Sequence, residues 1–398
     1  MKISIGTNVK NGPWGGGNLF AKNLALFLER NHHEVFFNLD PEDLDLILIT
    51  EPRKTSESSA FTHEDVDRYQ KYVKSDTLVV HRINECDERK NTNFVNKYLM
   101  YANTYSDYTV FVSSWIKNLY KEQGLNVENS SVILAGADKE IFNSDGFIPW
   151  DGKSKVKIVT HHWGANWNKG FDIYKQLDEI IEKESFSKKI EFSYIGNLPK
   201  KFQFKNTNVI SPLSGKDLSD ELKKHHIYLT ASLNEPSGNH HIEGAQCGLP
   251  LLFINSGGIP EYSSGYGVVF NESNFISKLN EIVNNYSLYS ENVKKYPFNA
   301  NSMSNEYLDL FSNLMKNKNK YIKNRRSKDE YLSEKLIYNF KRRKIKKSHS
   351  PTRTSSSSFI ILSSGTQCYF YMMKEERTKY AFQTSIFTQI VTFLKVRY

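Results

Sequence analysis

The chain has 398 residues, of which 39% are hydrophobic and 24% charged, and a formal net charge of +9. This length allows two domains with separate cores, and no apolar run reaches the roughly 18 residues of a membrane-spanning helix. The positive charge is uneven, because residues 321–398 hold about 17 Lys and Arg against about 5 Asp and Glu; the mildly acidic remainder argues against a nucleic-acid-binding protein.

The first half of the chain alternates between strand and helix patterns. Strands are predicted at Lys2–Thr7, Glu34–Leu39, Leu44–Thr50, Thr77–Asn84, Tyr108–Ser113 and Ser131–Leu134. Helices are predicted at Asn18–Glu29, Glu64–Lys74, Asn93–Tyr105 and Trp115–Gln123. Such alternation is typical of βαβ units built around a mostly parallel sheet.

The stretch from Asn143 to Gly152 has linker chemistry, and the alternation restarts after it. Strands are predicted at Lys155–His161, Glu191–Ile195, Val209–Ser211, Ile227–Ser232, Pro250–Ile254 and Val268–Phe270, and helices at Gly170–Lys183, Leu218–Lys224, Phe275–Lys294 and Ser302–Met315. We therefore predict an α/β protein with two doubly wound, Rossmann-like domains that face a central cleft. The predicted domains are 1–148 and 149–298, followed by a crossover helix within 299–320.

Residues 321–398 form a basic tail that we predict to lie outside the catalytic core. It contains the basic run Lys341–Lys347 and the low-complexity segment Ser355–Ser358. Such a cluster could contact an anionic membrane surface, although a solvated, disordered tail explains it equally simply. The three cysteines have no metal-ligand or disulfide spacing, and Met1–Gly6 resembles a strand rather than a secretory signal. The expected location is therefore the cytoplasm, with peripheral membrane contact through the tail as an option.

A glycine run, Gly15-Gly16-Gly17, lies between the first predicted strand and the first helix. Glycine lets backbone N–H groups approach a ligand closely, and the start of a helix adds positive potential. The run does not match the dinucleotide-binding or P-loop patterns, so those two classes are disfavoured.

The most informative segment is Glu235-Pro-Ser-Gly-Asn-His-His-Ile-Glu243, which follows a strand and leads into a predicted helix that ends at Gly248. Free N–H groups at the start of that helix would attract phosphate, and the two carboxylates would accept hydrogen bonds from sugar hydroxyls. A second glycine-rich segment, Gly257-Gly258-Ile-Pro-Glu261, follows the next strand.

Lys169 precedes a predicted helix after the first strand of the second half. A lysine at this place can stabilise the negative charge that grows on a departing phosphate. The adjacent histidine pairs, such as His161-His162, make poor metal ligands because neighbouring residues on a strand point to opposite faces. No metal site and no cofactor are therefore expected.

These segments together resemble the donor site of retaining GT-B glycosyltransferases, family 4 type, over roughly residues 1–315. The resemblance rests on E-P-x-G-x4-E, on G-G-x-P-E at its offset, on Lys169-Gly170 upstream, and on Gly15–Gly17. It implies catalytic roles for Glu235, Lys169 and His81, and donor contacts from Gly15, Gly16, Gly17, Lys169, Asn239, His240 and Glu243. His81 is expected at the cleft end of its strand, where members of this family have a histidine that hydrogen-bonds the donor sugar.

The family also has an arginine about five residues before the lysine, whereas this chain has Gly164 there. His162 and Asn166 are candidates to donate hydrogen bonds in its place, and Asp87 is a candidate on the acceptor side. The resemblance implies transfer of a sugar from a nucleotide-sugar donor to a hydroxyl of a glycan, lipid-linked or other acceptor, with retention and without metal. A GT-B-fold sugar-nucleotide epimerase and a catalytically silent sugar-nucleotide-binding protein remain the alternatives.

Overall fold

The structure is a computed structural model that describes residues 1–10, 15–322 and 338, and three short strands between residues 359 and 384. By its contacts the chain divides into two compact units, Met1–Arg326 and Ser327–Tyr398. The basic run Lys341–Lys347 and the serine run lie outside the described residues. No helix in the described ranges is long and apolar enough to cross a bilayer.

The first half of the larger unit contains a six-stranded parallel sheet with the spatial order β2-β1-β3-β4-β5-β6. Its strands are β1 (Lys2–Ile5), β2 (Glu34–Phe36), β3 (Leu46–Ile49), β4 (Leu78–Ile83), β5 (Tyr108–Phe111) and β6 (Ser130–Val132). The helices between them are α1 (Gly15–Arg30), α2 (His63–Tyr72), α3 (Asp87–Lys90), α4 (Val95–Asn103) and α5 (Ser114–Glu122). Every strand predicted in this half is present. Helix α3 is a single turn that no periodic pattern in the sequence predicted.

The second half contains another six-stranded parallel sheet, with the order β12-β11-β10-β7-β8-β9. Its strands are β7 (Val156–His162), β8 (Ile190–Gly196), β9 (Asn208–Ile210), β10 (Ile227–Thr230), β11 (Leu251–Ile254) and β12 (Gly267–Phe270). The order reverses between β7 and β10, so a ligand crevice is expected at the carboxyl ends of these two strands.

The helices of the second half are α6 (Phe171–Ile181), α7 (Glu184–Ser187), α8 (Gly215–Leu222), α9 (Asn239–Gln246), α10 (Ile259–Ser263), α11 (Phe275–Asn284) and α12 (Tyr286–Val293). The single helix predicted at Phe275–Lys294 is therefore two helices. They separate at Asn285, whose side chain donates a hydrogen bond to the Glu281 carbonyl at 2.9 Å. Asparagine favours such ends because its side chain competes with the helix for backbone hydrogen bonds.

Helix α13 (Ala300–Lys316) returns to the first half, as predicted for Ser302–Met315. Met303, Tyr307, Phe311 and Leu314 belong to the same buried cluster as the apolar face of α1. The Tyr307 ring lies 5.3 Å from the Phe20 ring. Burying these aromatic side chains attaches the end of the larger unit to its beginning.

A short helix, α14 (Lys318–Ile322), crosses the boundary that the sequence analysis set at residue 320. Lys318 forms an ion pair with Asp76 at 2.6 Å, and the Tyr321 ring lies 6.1 Å from Tyr108. These contacts join α14 to the first sheet, so the described fold extends past residue 320 to Ile322.

In the smaller unit, β13 (Phe359–Ser364) pairs antiparallel with β14 (Gln367–Met372), which pairs antiparallel with β15 (Gln383–Thr384). The sequence analysis assigned no secondary structure to these residues.

Candidate functional site

Glu235 follows β10 at the crevice that the reversed strand order creates. Its backbone carbonyl accepts a hydrogen bond from the Gly258 N–H at 2.8 Å. A Cβ on Gly257, which has a φ of +63°, would lie 2.4 Å from the same carbonyl oxygen. The glycine pair of the G-G-x-P-E segment is therefore needed for close packing against Glu235, and it fixes the backbone of that residue.

Glu235 lies between two cations. Lys169 Nζ is 2.6 Å from Oε2 of Glu235, and Arg89 Nε is 2.8 Å from Oε1. The Glu235 side chain is only 7% exposed and that of Lys169 12%. Burial alone would raise the pKa of Glu235, but Arg89 and Lys169 together hold it well below its usual range. Burial also lowers the pKa of Lys169, and Glu235 opposes that shift.

Arg89 was not among the predicted site residues. It lies on α3, directly after β4, and its Nη1 is 2.8 Å from Oε2 of Glu85. Lys90 adds a second cation at 3.2 Å from the same oxygen. The charged run after β4 (Glu85 to Lys90) was the available signal, since carboxyl ends of parallel strands face the crevice. Arg89 and its partner Glu235 are far apart in the sequence, so no spacing rule could connect these two residues.

The glycine run Gly15–Gly17 lies against the start of α9. Gly15, Gly16 and Gly17 form the first turn of α1 rather than a loop. A Cβ on Gly16 would lie 3.0 Å from the side chain of Asn239, the first residue of α9. The run also lines a cavity of about 140 Å³ together with Thr7, Asn8, Lys10, Asn18 and Ser58. The structure thus brings the N-termini of two helices, one from each half, to the same place.

Glu243 lies one turn into α9 and is buried. Its Oε2 is 2.9 Å from Nε2 of His161, and the His161 Nδ1 is 3.0 Å from the Tyr228 hydroxyl. This chain of polar contacts orients the carboxylate from inside the fold. A contact from Glu243 to a ribose remains a prediction.

His162 and His240 are core histidines whose rings lie 4.6 Å apart. The His240 Nε2 is 2.8 Å from the Thr230 hydroxyl, and the His162 Nε2 is 2.8 Å from the Tyr174 hydroxyl. Burial lowers the pKa of both rings well below the ordinary value, so both are neutral at pH 7. The His162 Nδ1 is buried without a hydrogen-bond partner, so a phosphate contact from His162 stays a prediction, as does the predicted contact from the backbone of His240.

His81 lies in the core of the first sheet, and its predicted contact with the donor sugar stays a prediction. Strand β4 continues past it to Ile83, and the side chain is fully buried. Its Nδ1 is 3.0 Å from Oδ1 of Asn103 on α4. Burial lowers the pKa of His81 to about 4.

Asp87 is also structural in this arrangement. Its carboxylate accepts hydrogen bonds from the backbone N–H groups of Val95 at 2.9 Å and Asn96 at 3.0 Å. Partial burial would raise the pKa of Asp87, but hydrogen bonds from Thr92 and these amides hold it below the ordinary value. The carboxylate therefore caps the start of α4, and the candidate acceptor-side role has no geometric support.

Asn166 is exposed and immediately precedes the 3₁₀ turn Trp167–Lys169, where its carbonyl accepts a hydrogen bond from the Lys169 N–H at 3.1 Å. A Cβ on Gly164 would lie 3.9 Å from Cε of Lys169. The position that carries an arginine in the family is thus beside Lys169, and a Cβ there would be in ordinary van der Waals contact with Lys169 and Asn166.

Glu261 connects the two halves of the unit. Its carboxylate accepts hydrogen bonds from the backbone N–H groups of Ser114 and Trp115, both at 2.7 Å. These are the first residues of α5, so Glu261 caps a helix of the opposite half. The last residue of the G-G-x-P-E segment therefore helps to hold the crevice together.

No group of three His, Cys, Asp or Glu side chains is placed to hold a metal ion within the part of the chain that the structure describes. The positive groups at the site are Lys169, Arg89 and the N-termini of α1 and α9. This combination is suited to a diphosphate, because helix N–H groups and cations can share its negative charge.

Comparison with curated proteins gives partial matches. No protein-family model matches the chain. The GPI3 subunit of phosphatidylinositol N-acetylglucosaminyltransferase from Saccharomyces cerevisiae strain YJM789 is 30% identical over 208 residues, which are 48% of this chain and 45% of that protein. The same subunit from strain S288c matches equally. The chain thus spans about half the length of the curated relatives it matches.

Several solved structures match most of the chain in fold. Anabaena HepE in complex with UDP-glucose matches with a TM-score of 0.58 at 13% identity, over 79% of this chain and 100% of that chain. WaaG, a glycosyltransferase involved in lipopolysaccharide biosynthesis, gives 0.53 at 13% identity, over 78% of this chain and 100% of that chain. Sucrose-phosphate synthase from Thermosynechococcus elongatus gives 0.53 at 13% identity, over 79% and 99%. These likenesses show the GT-B fold.

Proposed function

We propose that this chain, a GT-B protein of the glycosyltransferase family 4 type, transfers a sugar from a nucleotide-sugar donor to an acceptor hydroxyl with retention of configuration. The observation that carries the proposal is the 2.6 Å contact between Lys169 and Glu235 at the N-terminal end of α9. It combines a cation for phosphate and a carboxylate for a sugar at the crevice where the strand order reverses.

The diphosphate of the donor would bind between the starts of α1 and α9. Gly16 and Asn239 already lie in contact there, and neither position needs a side chain to offer its backbone N–H. Lys169 lies beside Gly164 and would meet the charge that grows as the sugar leaves. These groups would stabilise the transition state more than the ground state, because the leaving diphosphate gains negative charge as the bond breaks.

In the proposed step, the bond between the anomeric carbon and the diphosphate oxygen breaks with both electrons going to the oxygen. The acceptor hydroxyl attacks the same face of the oxocarbenium-like sugar, and its proton passes to a phosphate oxygen of the leaving group. Glu235, held ionised, would bind the sugar near the reacting carbon. Attack by Glu235 itself, followed by displacement, is the other route to retention.

For the donor we propose a UDP-sugar as the first class to examine, because HepE was solved with UDP-glucose. For the acceptor we propose a glycan or a lipid-linked hydroxyl. The curated relatives act in phosphatidylinositol N-acetylglucosaminyl transfer, and WaaG is involved in lipopolysaccharide biosynthesis. Both proteins therefore support an acceptor attached to a lipid.

A donor panel tests the proposal. The purified chain is incubated with UDP-, GDP- and ADP-sugars, and the released nucleoside diphosphate is measured without and with acceptor extracts. We expect slow hydrolysis of one donor class that an acceptor accelerates. Formation of an epimerised donor would support the epimerase alternative instead, and nucleotide binding without turnover would support the silent binding protein.

Sugar transfer should persist in excess chelator. The cations and helix N-termini at the site can neutralise the diphosphate without a divalent ion. Released nucleoside diphosphate is measured at saturating donor with and without EDTA, and the two rates should agree within about twofold of each other. Loss of activity in EDTA that Mg²⁺ or Mn²⁺ restores would contradict the proposal.

The tail should be dispensable for chemistry and useful for placement at an acceptor-bearing surface. A chain that ends at Arg326 keeps α14 and should retain donor hydrolysis. The Lys341–Lys347 cluster could add roughly 1 kcal/mol per basic residue near an anionic membrane. Flotation with anionic vesicles at low and high salt should show salt-sensitive binding of the full chain only. Equal binding of the two proteins would contradict the placement proposal, and a chain ending at Asn317 serves as the destabilised control.

A further inference from the structure

Resting on the proposed function, we propose that Arg89 is a positioning residue that keeps the Glu235 carboxylate ionised and aimed into the crevice when Lys169 leaves it for the diphosphate. Each oxygen of Glu235 has its own cation, Arg89 on Oε1 and Lys169 on Oε2. A diphosphate competes with Glu235 for these cations, so binding the donor requires at least one of them to turn away.

Lys169 is the cation that can move. It lies at the end of the 3₁₀ turn Trp167–Lys169, pairs with Glu235 through a single contact, and has a long, flexible side chain that can turn toward a phosphate. Arg89 is held more firmly, because its Nη1 lies within 3.1 Å of both oxygens of Glu85. A planar guanidinium that bridges two carboxylates gives up more contacts on leaving than a lysine that has one.

Arg89 is also attached to the segment that it positions. Asn234, the neighbour of Glu235, has a left-handed φ of +52° and its side chain donates a hydrogen bond to the Glu88 carbonyl at 3.4 Å. Helix α3 of the first half therefore touches the Glu235 segment of the second half at two points. This geometry lets Arg89 set the direction of the carboxylate from across the crevice.

Other charged or titratable groups near Glu235 do not replace Arg89. His162 and His241 lie close to it, but burial lowers the pKa of His241 to about 3 and that of His162 well below the ordinary value. Both rings are therefore neutral at pH 7. Without Arg89, a Glu235 carboxylate that Lys169 has left would be buried without a cation and would take up a proton.

The first test is titration calorimetry of the full chain with UDP, GDP and ADP in buffers of different ionisation enthalpy. The wild-type protein and Arg89→Gln are compared at pH 7 with the nucleoside diphosphate that binds. We expect Arg89→Gln to bind about one more proton per bound nucleotide than the wild type, because Glu235 becomes protonated. Equal proton uptake overturns the inference while leaving the proposed function intact, whereas a wild-type protein that binds no nucleotide overturns both.

The second test is the pH dependence of turnover. Ionised Glu235 is lost as pH falls through its pKa, and removing Arg89 raises that pKa. The acidic limb of kcat should therefore move up by about 3–5 pH units in Arg89→Gln, so that it reaches neutral pH, and kcat at pH 7 should fall about 10-fold or more while donor KM changes less. Arg89→Lys should recover part of both effects. A wild-type acidic limb in Arg89→Gln overturns the inference.

Two further variants keep the test interpretable. Glu85→Gln loosens Arg89 without touching Glu235, so it should shift the acidic limb in the same direction but less. It replaces Arg89→Gln if the latter does not fold, and an unshifted limb in Glu85→Gln then overturns the inference. Arg68→Gln removes a surface arginine paired with Asp65 on α2 and should leave the pH profile unchanged.

Discussion

Replacing Glu235 by Gln should lower the rate of sugar transfer by about 10²–10³-fold, because the site loses a charge that contacts the transition state. The structure adds a second effect that the sequence did not predict. Arg89 and Lys169 would both remain at the site without the carboxylate between them. Removing one member of a buried charged cluster costs about 3 kcal/mol, so the free energy of unfolding should fall as well.

The two effects can be separated in one set of measurements. Initial rates are measured well below the unfolding temperature of the variant, and nucleoside diphosphate binding is measured at the same temperature. Binding should be kept or become tighter, since the variant no longer has a carboxylate that competes for Lys169. The matched control is Glu291→Gln, because Glu291 forms an exposed ion pair with Lys294 on the surface. A Glu235→Gln protein with more than half the wild-type rate would contradict the assignment of Glu235.

Replacing Lys169 by Ala should lower kcat by about 10²-fold and weaken nucleoside diphosphate binding, while the acceptor KM stays unchanged. The reason is that Lys169 interacts with charge that develops on the leaving group. The stability loss should be smaller than for Glu235→Gln, since Arg89 still compensates the carboxylate. Here the measurements are steady-state kinetics with donor and acceptor varied separately, together with thermal unfolding.

Lys175→Ala is the matched control for this prediction, because Lys175 lies on α6 and pairs with Glu179 at 3.7 Å on the surface. It should change neither kcat nor nucleotide binding. If Lys169→Ala altered only the acceptor KM, the lysine would belong to the acceptor side of the crevice, and its assignment to the donor would be wrong.

The amino-acid sequence by itself determined the fold class and most of the residues of the candidate site. Strands of the two sheets were readable because apolar runs bounded by turn residues occur in a regular order with helical periods between them. The predicted GT-B fold is confirmed by the likeness to solved structures, and the chain is similar to GPI3 over about half of its length. Glu235, Lys169 and Gly16 could be chosen because each follows a strand whose carboxyl end must reach the crevice.

Only the tertiary structure decided which side chains meet. Arg89 and Glu235 lie on different halves of the unit, and the pairing depends on how the two sheets face each other. The same holds for Glu261, which caps α5 from across the crevice. The partner of His81, Asn103 on α4, was not predictable for a related reason: a pattern of period two tells which residues share a face of a strand, but not what covers that face. Contacts between separately folded layers depend on packing geometry, which local periodicity does not encode.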